Sequence, residues 1–261
     1  MSDLEILVTN DDGIEAPGVR ALAAGLSDVG NVTVVAPAED QSAVGRTLSY
    51  SVEYGEHELG YLIDGTPSDC VIAGLSELCP DTDIVVSGCN RGANLGAVTL
   101  GRSGTVSAAV EAAFFGVPAI ASSMYIPGDE FDPRSFNRTS EAYESAVNAT
   151  AYLTEQALEN GLFDRIDYLN VNAPTVERST EQMKLTHPSP ISELKATRNG
   201  NTIDIEDELW EKMANGNIPD EPGTDRRTIL NNHVSVSPLS TTHTLEESDE
   251  LQTITEKYPD F

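Results

Sequence analysis

The run Ile6-Leu7-Val8-Thr9 is apolar and β-type, and it stops abruptly in Asn10-Asp11-Asp12-Gly13: an amide, two adjacent carboxylates and a glycine. In an open α/β sheet, ligand chemistry gathers just beyond the carboxyl ends of the strands. Two aspartates at such an end offer hard oxygen ligands for Mg²⁺ or Mn²⁺. Neighbouring side chains on an extended strand face opposite ways, so the pair can share an ion only where the chain is already turning. Gly13 supplies the freedom for that turn. The same four residues also read as turn chemistry alone. A second stretch, Asp83-Ile84-Val85-Val86-Ser87-Gly88-Cys89-Asn90, repeats the pattern of apolar run followed by small polar residues and makes Asn90 an amide-oxygen ligand candidate.

Two further segments belong with these. In the loop from Ala36 to Arg46, the Ser42 hydroxyl could complete a metal shell and Arg46 could meet a phosphate oxygen, although the loop equally reads as a plain βα connection. Gly101-Arg102-Ser103-Gly104-Thr105 stands directly before a predicted helix. Unpaired N–H groups and the positive end of the helix dipole make that position an anion cradle, and N-capping by Ser103 or Thr105 would use the same residues. The glycines between Ser87 and Gly96 permit close approach of backbone to a ligand. Two carboxylates, a hydroxyl, an amide and an anion cradle together describe metal-assisted phosphoryl chemistry. In that reading Asp11 and Asp12 are catalytic, one of them assisting the attacking water, and Asn10 lies on the substrate side. No GxxxxGK[ST] run and no GxSxG context occurs, which argues against a Walker-type NTPase and a serine hydrolase. His57, His187, His233 and His243 all lie outside these motifs.

The elements that must position these residues alternate. Strands are predicted at 4–9, 32–36, 84–86 and 119–121, with helices at 17–26, 67–78 and 106–115 between them and β hairpin material over 48–64. Pro17 suits a first helical turn, and Gly116 and Pro118 end the third helix. This alternation implies an α/β fold with a mostly parallel, doubly covered sheet. Further on, 140–160 reads as one amphipathic helix, 168–172 and 234–239 as strands, and 246–256 as a terminal helix. Residues 176–230 look polar and turn-rich, with an acidic stretch from Asp204 to Glu208 beside Trp210. One domain over 1–261 is expected, its motifs concentrated in 1–125 and its more variable part in 126–261.

Composition narrows the partners. The 261 residues carry 15 Lys and Arg against 43 Asp and Glu, a net charge of −28, and no lysine precedes Lys184. Phosphate-backbone binding needs basic patches, so nucleic acid is not an expected partner. A carboxylate-covered surface suits a salt-rich cytoplasm, where screening makes self-repulsion tolerable. No apolar run reaches about 18 residues, and the first residues lack a basic leader region. Neither a membrane span nor a signal peptide is expected, and the predicted location is cytoplasmic. Cys70, Cys79 and Cys89 show no CxxC spacing and read as free, buried thiols.

In this order, the motifs resemble the SurE family of stationary-phase survival proteins, metal-dependent 5′/3′-nucleotidases. The resemblance rests on Ile6–Gly18, Val34–Pro37 with Ser42, Gly65–Cys70, Asp83–Gly96 and Ser103-Gly104-Thr105 with Ala108-Ala109. Leu169–Pro174, Gly223-Thr224-Asp225 and Val234–Leu239 extend it. It implies a three-layer α/β/α, Rossmann-like fold and a C-terminal part that builds a homodimer or homotetramer by exchanging elements. It also implies one divalent cation per subunit, Mg²⁺ or Mn²⁺, at the positions of Asp11, Asp12, Ser42 and Asn90. Asn94, Ser103, Gly104 and Thr105 match phosphate-side positions. The implied activity is hydrolysis of nucleoside 5′-monophosphates, or 3′-monophosphates, to nucleoside and phosphate. Arg91, Cys89 and the segment 176–222 depart from the family pattern.

Overall fold

A computed structural model describes residues 4–127, 139–241 and 254–256. Side chains in β1 (Glu5–Thr9) alternate between the two faces of a sheet, and each face is apolar. Ile6 and Val8 pack with Val19, Leu22 and Leu26 of α1 (Pro17–Leu26) and with Ala146 and Val147 of α5 (Glu144–Glu159). Leu7 packs on the opposite face with Val71 of α2 (Pro67–Ala73) and with Val106 and Ala109 of α4 (Gly104–Phe114). Two cores on one sheet make three layers, α/β/α, as the strand–helix alternation predicts.

The remaining strands are β2 (Asn31–Pro37), β3 (Tyr54–His57), β4 (Gly60–Ile63), β5 (Ile84–Arg91), β6 (Ala119–Tyr125), β7 (Tyr168–Pro174), β8 (Met183–Leu185) and β11 (Val234–Leu239). With β1 they form a nine-stranded sheet in the order β3-β4-β2-β1-β5-β6-β7-β11-β8. The pairings β4-β2, β2-β1, β1-β5, β5-β6 and β6-β7 are parallel. β3 and β11 run antiparallel to β4 and β7. The carboxyl ends of β1 and β5 therefore lie side by side, with Val8 opposite Val86 and Thr9 opposite Ser87. That adjacency is what brings the two predicted motifs together.

Several boundaries differ from the sequence expectation. The strand predicted at 84–86 runs on to Arg91, and its pairing with β6 slips between Ser87 and Asn90. An irregularity of this kind re-aims the side chains that follow it, here Asn90 and Arg91. The helix predicted over 67–78 is α2 followed by a wider π turn at Gly74–Leu78. The long helix begins as a 3₁₀ turn, Ser140–Tyr143, before α5. Residues 176–230 hold more structure than their polarity suggests: β8, an antiparallel hairpin of β9 (Leu194–Asn199) and β10 (Thr202–Asp207), then α6 (Glu208–Ala214) and α7 (Asp225–Leu230). Among the described residues the hairpin pairs only with itself, and nearly every side chain in it is exposed. The short α3 (Ala97–Leu100) follows the glycine-rich loop. Of the predicted terminal helix, 246–253 lies outside the described residues, and 254–256 are helical. Among the described residues no helix is long and apolar enough to cross a membrane.

Candidate active site

The turn after β1 is tied from both sides. The Asn10 side-chain amide donates to the Gly13 carbonyl at 2.8 Å, and Gly13 takes φ +95°, a conformation that favours glycine. The Gln41 amide donates to the Asp11 carbonyl at 2.7 Å, and the Ile14 amide to the Pro37 carbonyl at 2.8 Å, so the β2 loop clamps the turn. The Asp11 carboxylate is thereby held in the interior with 3% of the residue exposed.

The amino end of α4 is aimed at that carboxylate. The Thr105 hydroxyl donates to Asp11 Oδ1 at 2.6 Å, and the Thr105 main-chain N–H also bonds to this side chain. A Cβ on Gly104 would come within 2.8 Å of Asp11 Cβ and Oδ2, so only glycine lets the helix approach this closely. Ser103 caps the helix, its hydroxyl oxygen accepting from the Val106 amide at 3.1 Å. Of the two readings of the Gly101–Thr105 segment, N-capping is seen directly. Ser103 caps, while the donors of Thr105 serve a protein carboxylate in place of an external anion.

Asp12 is half-buried, and its Oδ2 accepts from the Arg91 amide at 2.9 Å, a bond made across the β1–β5 seam. Burial first, and then the charge of Asp11, push its pKa up to about 6. Asp11 is raised as well, chiefly by burial, with the Thr105 hydrogen bonds pulling the other way. Asp40 adds a third negative charge that acts on both. The Ser42 amide donates to Asp40 Oδ1 at 2.8 Å, which holds the loop in place. The Asn90 side-chain nitrogen donates to the Gly92 carbonyl at 2.7 Å, leaving its oxygen as the atom to offer a ligand.

Whether a cation fits here is a question of balance. Removing a carboxylate from water costs several kcal/mol, and each hydrogen bond to a charged group returns only about 1.5–3 kcal/mol. Asp11, buried, and Asp12, half-buried beside it, both have raised pKa values and are therefore under-compensated by the protein alone, and a cation would close the deficit. Among the described residues no three His, Cys, Asp or Glu side chains cluster as a metal-holding group. The donor set at hand is instead two carboxylates with neutral oxygens from Ser42 and Asn90, an all-oxygen set suited to a hard ion. On chemistry the residues fit Mg²⁺ or Mn²⁺.

A cavity of about 630 Å³ opens beside the pair, within the range of small-molecule sites. Of the expected residues, Asp11, Ser42, Asn90, Asn94 and Ser103 line it; Asn10, Asp12, Gly104 and Thr105 stand outside the lining. Asn94 is fixed by asparagines two apart on β7. Its amide donates to Asn172 Oδ1 at 2.8 Å, and its carbonyl accepts from Asn170 at 2.9 Å and Asn172 at 3.1 Å. At the far end of the same loop, Asp225 Oδ2 accepts from the Gly96 amide at 2.7 Å. The motif matches at 169–174 and 223–225 thus act on the site by holding its loop.

One expectation is corrected. Arg46 forms an ion pair with Glu111 at 3.0 Å and lies over the Phe114 ring, away from the cavity. The basic side chains in the lining are Arg91 and Arg102. Sequence reasoning also missed Asp40, Tyr125, Ile126 and Trp210 as lining residues. Arg102 adjoins Ser103 and could have been found from that position. Trp210 comes from α6, more than a hundred positions beyond Thr105, and carries no local signal.

With this geometry in place, similarity to known proteins becomes informative. A family model described as survival protein SurE matches residues 6–195. A relative in Haloarcula marismortui named 5′-nucleotidase SurE is 55% identical over 99% of this chain and 96% of its own length. Another of that name, in Halobacterium salinarum, is 56% identical over 97% of this chain and 98% of its own. The crystal structure of the SurE protein from Aquifex aeolicus superposes with a TM-score of 0.76 at 29% identity, covering 98% of this chain and all of that one.

Proposed function

The chain belongs to the SurE family, and from that premise we propose that it is a 5′-nucleotidase, a phosphomonoesterase that releases phosphate from nucleoside 5′-monophosphates with the aid of one divalent cation. The observation that carries the reading is the buried Asp11 carboxylate, set at a strand end by the Thr105 hydroxyl at 2.6 Å and facing a cavity of nucleotide size. Asp11 and Asp12 are the charged ligands, and Ser42 and the Asn90 oxygen complete the set. When bound, Mg²⁺ or Mn²⁺ would polarise the phosphoryl group and neutralise charge developing on it.

The chain's own groups supply orientation and proton handling. The Ser103 hydroxyl, the Gly104 amide and the Arg102 guanidinium take the non-bridging phosphate oxygens, where negative charge collects in the transition state. Asn94, fixed by Asn170 and Asn172, keeps the loop opposite them in register. One carboxylate of the pair positions the attacking water and accepts its proton. We also read the net charge of −28 as suited to a saline cytoplasm, and the exposed hairpin as the element that joins copies in a homodimer or homotetramer.

The test is phosphate release from AMP or GMP with Mn²⁺ at high KCl, against an EDTA control. Release that EDTA abolishes is expected. Tight nucleotide binding with no release above the control would make the chain a nucleotide sensor instead.

A further inference from the structure

The cavity lining combines two chemistries. Asp11, Asp40 and Asn90 bring polar groups to it, and Tyr125, Ile126 and Trp210 bring apolar surface. Tyr125 and Ile126 are buried continuations of β6, fixed by the sheet. Trp210 is different: it is the only tryptophan in the chain, and 42% of it is exposed. A large aromatic ring left open beside a cavity is an unfilled contact surface.

Its position is nonetheless well defined. On α6, Met213 is buried with Ala93, Leu95 and Tyr125, so the helix sits on the loop that carries Asn94, and Leu209 is buried as well. Asp207 caps it, Oδ1 accepting from the Leu209 amide at 3.1 Å. Ion pairs of Lys212 with Glu193 and of Lys195 with Glu208 tie the helix back to β9 and the residue before it. The ring is thus held at the cavity rim by packing behind it, and one face of the helix is spent on fixing the other.

Resting on the phosphomonoesterase reading above, we propose that Trp210 is the platform on which the substrate's base stacks, making it a specificity-determining residue that separates nucleotides from other phosphate esters. A nucleotide, like the lining, combines the two chemistries, a phosphate and an aromatic plane. Placing phosphate against Ser103 and Arg102 leaves the base for the apolar side chains of Tyr125, Ile126 and Trp210. Stacking of a base on an aromatic side chain is tolerant of base identity, since every base presents a π face. The platform therefore selects for a base without choosing one.

The experiment uses the full-length protein with Mg²⁺ in high KCl. Because Trp210 is the only indole, its emission reports the platform alone. AMP and adenosine are expected to quench it, and ribose 5-phosphate to leave it unchanged. In Trp210→Ala, KM for AMP should rise about tenfold with kcat within about twofold, and kcat/KM for ribose 5-phosphate should stay within about twofold. Trp210→Phe, which keeps a ring, should restore most of the AMP affinity. Equal quenching by AMP and ribose 5-phosphate, or an unchanged KM for AMP in the alanine variant, would overturn the proposal. If the wild type hydrolyses neither ester, the phosphomonoesterase reading fails, while quenching by adenosine still decides whether a base stacks there.

Discussion

The strand-end site and the 194–207 hairpin, an excursion from the main sheet, are built by opposite rules. At the site, residues of four segments far apart in sequence converge on Asp11, and the buried contacts are a helix N-terminus, a strand register and a ladder of asparagines. In the excursion, β9 and β10 pair only with one another and bury almost nothing. Ile203 and Ile205 are 65% and 74% exposed. Where every neighbour is specified, a residue's role follows from its surroundings. Where few neighbours exist within the chain, the surroundings assign no role, and joining copies is the role proposed for the hairpin above.

The largest expected effect breaks the site at its centre. Asp11→Asn removes a proposed charged ligand, and the loss of several kcal/mol of charge stabilisation should cut kcat by about three decades. The fold should survive, since relieving a buried like-charge pair eases folding without the ion. A folded Asp11→Asn protein with near-wild-type turnover would undo the ligand assignment.

Acidity offers a second way to separate the regions. Asp12 has a folded pKa of about 6 against an ordinary value of 3.8. Folding therefore favours its protonated form, so its penalty is absent below about pH 3.8, grows through the interval and is complete above about 6. The ion-free protein should gain stability from this group as pH falls from 7 to 5, read as a rising denaturant midpoint. Asp12→Asn should flatten that gain, whereas charge changes in the hairpin should not.

Smaller effects follow outward. Thr105→Val keeps the shape but removes the hydroxyl donor to Asp11, and a charge-assisted bond of about 1.5 kcal/mol corresponds to roughly a tenfold loss in kcat/KM. Ile203→Lys with Ile205→Lys should shift monomer stability by less than about 0.5 kcal/mol, because neither side chain is buried. The same pair should lower the assembly mass by light scattering if the hairpin joins copies. A large loss of monomer stability would show that the hairpin is folded against its own chain.

What could be read from the residues follows the same division. The strands at 4–9 and 84–86 could be read from their apolar runs, because a buried parallel strand must be apolar, and the polar residues after each marked where a site was expected. The extension of β5 to Arg91 was hidden by Ser87, Gly88 and Asn90, which look like a loop and pair with β6 only after the register slips. Arg46 was misplaced because a basic residue near a phosphate motif has two partners to choose from, and Glu111 with Phe114 is nearer. In β10, Ile203 and Ile205 alternate with Asp204 and Glu206 in the strand period, but the acidic stretch hid the alternation, and α6 is placed by the burial of Leu209 and Met213 together with ion pairs to Glu193 and Lys195, which no local pattern announces.

The most direct test of the account is to locate the ion. Crystals of the wild-type protein grown with Mn²⁺ in high KCl should show one anomalous peak per chain at the manganese edge, bounded by Asp11, Asp12 and Asn90. Asp11→Asn crystals grown in the same way should lack it. A protein that hydrolyses AMP with no peak there, or with its only peak elsewhere, would contradict the account.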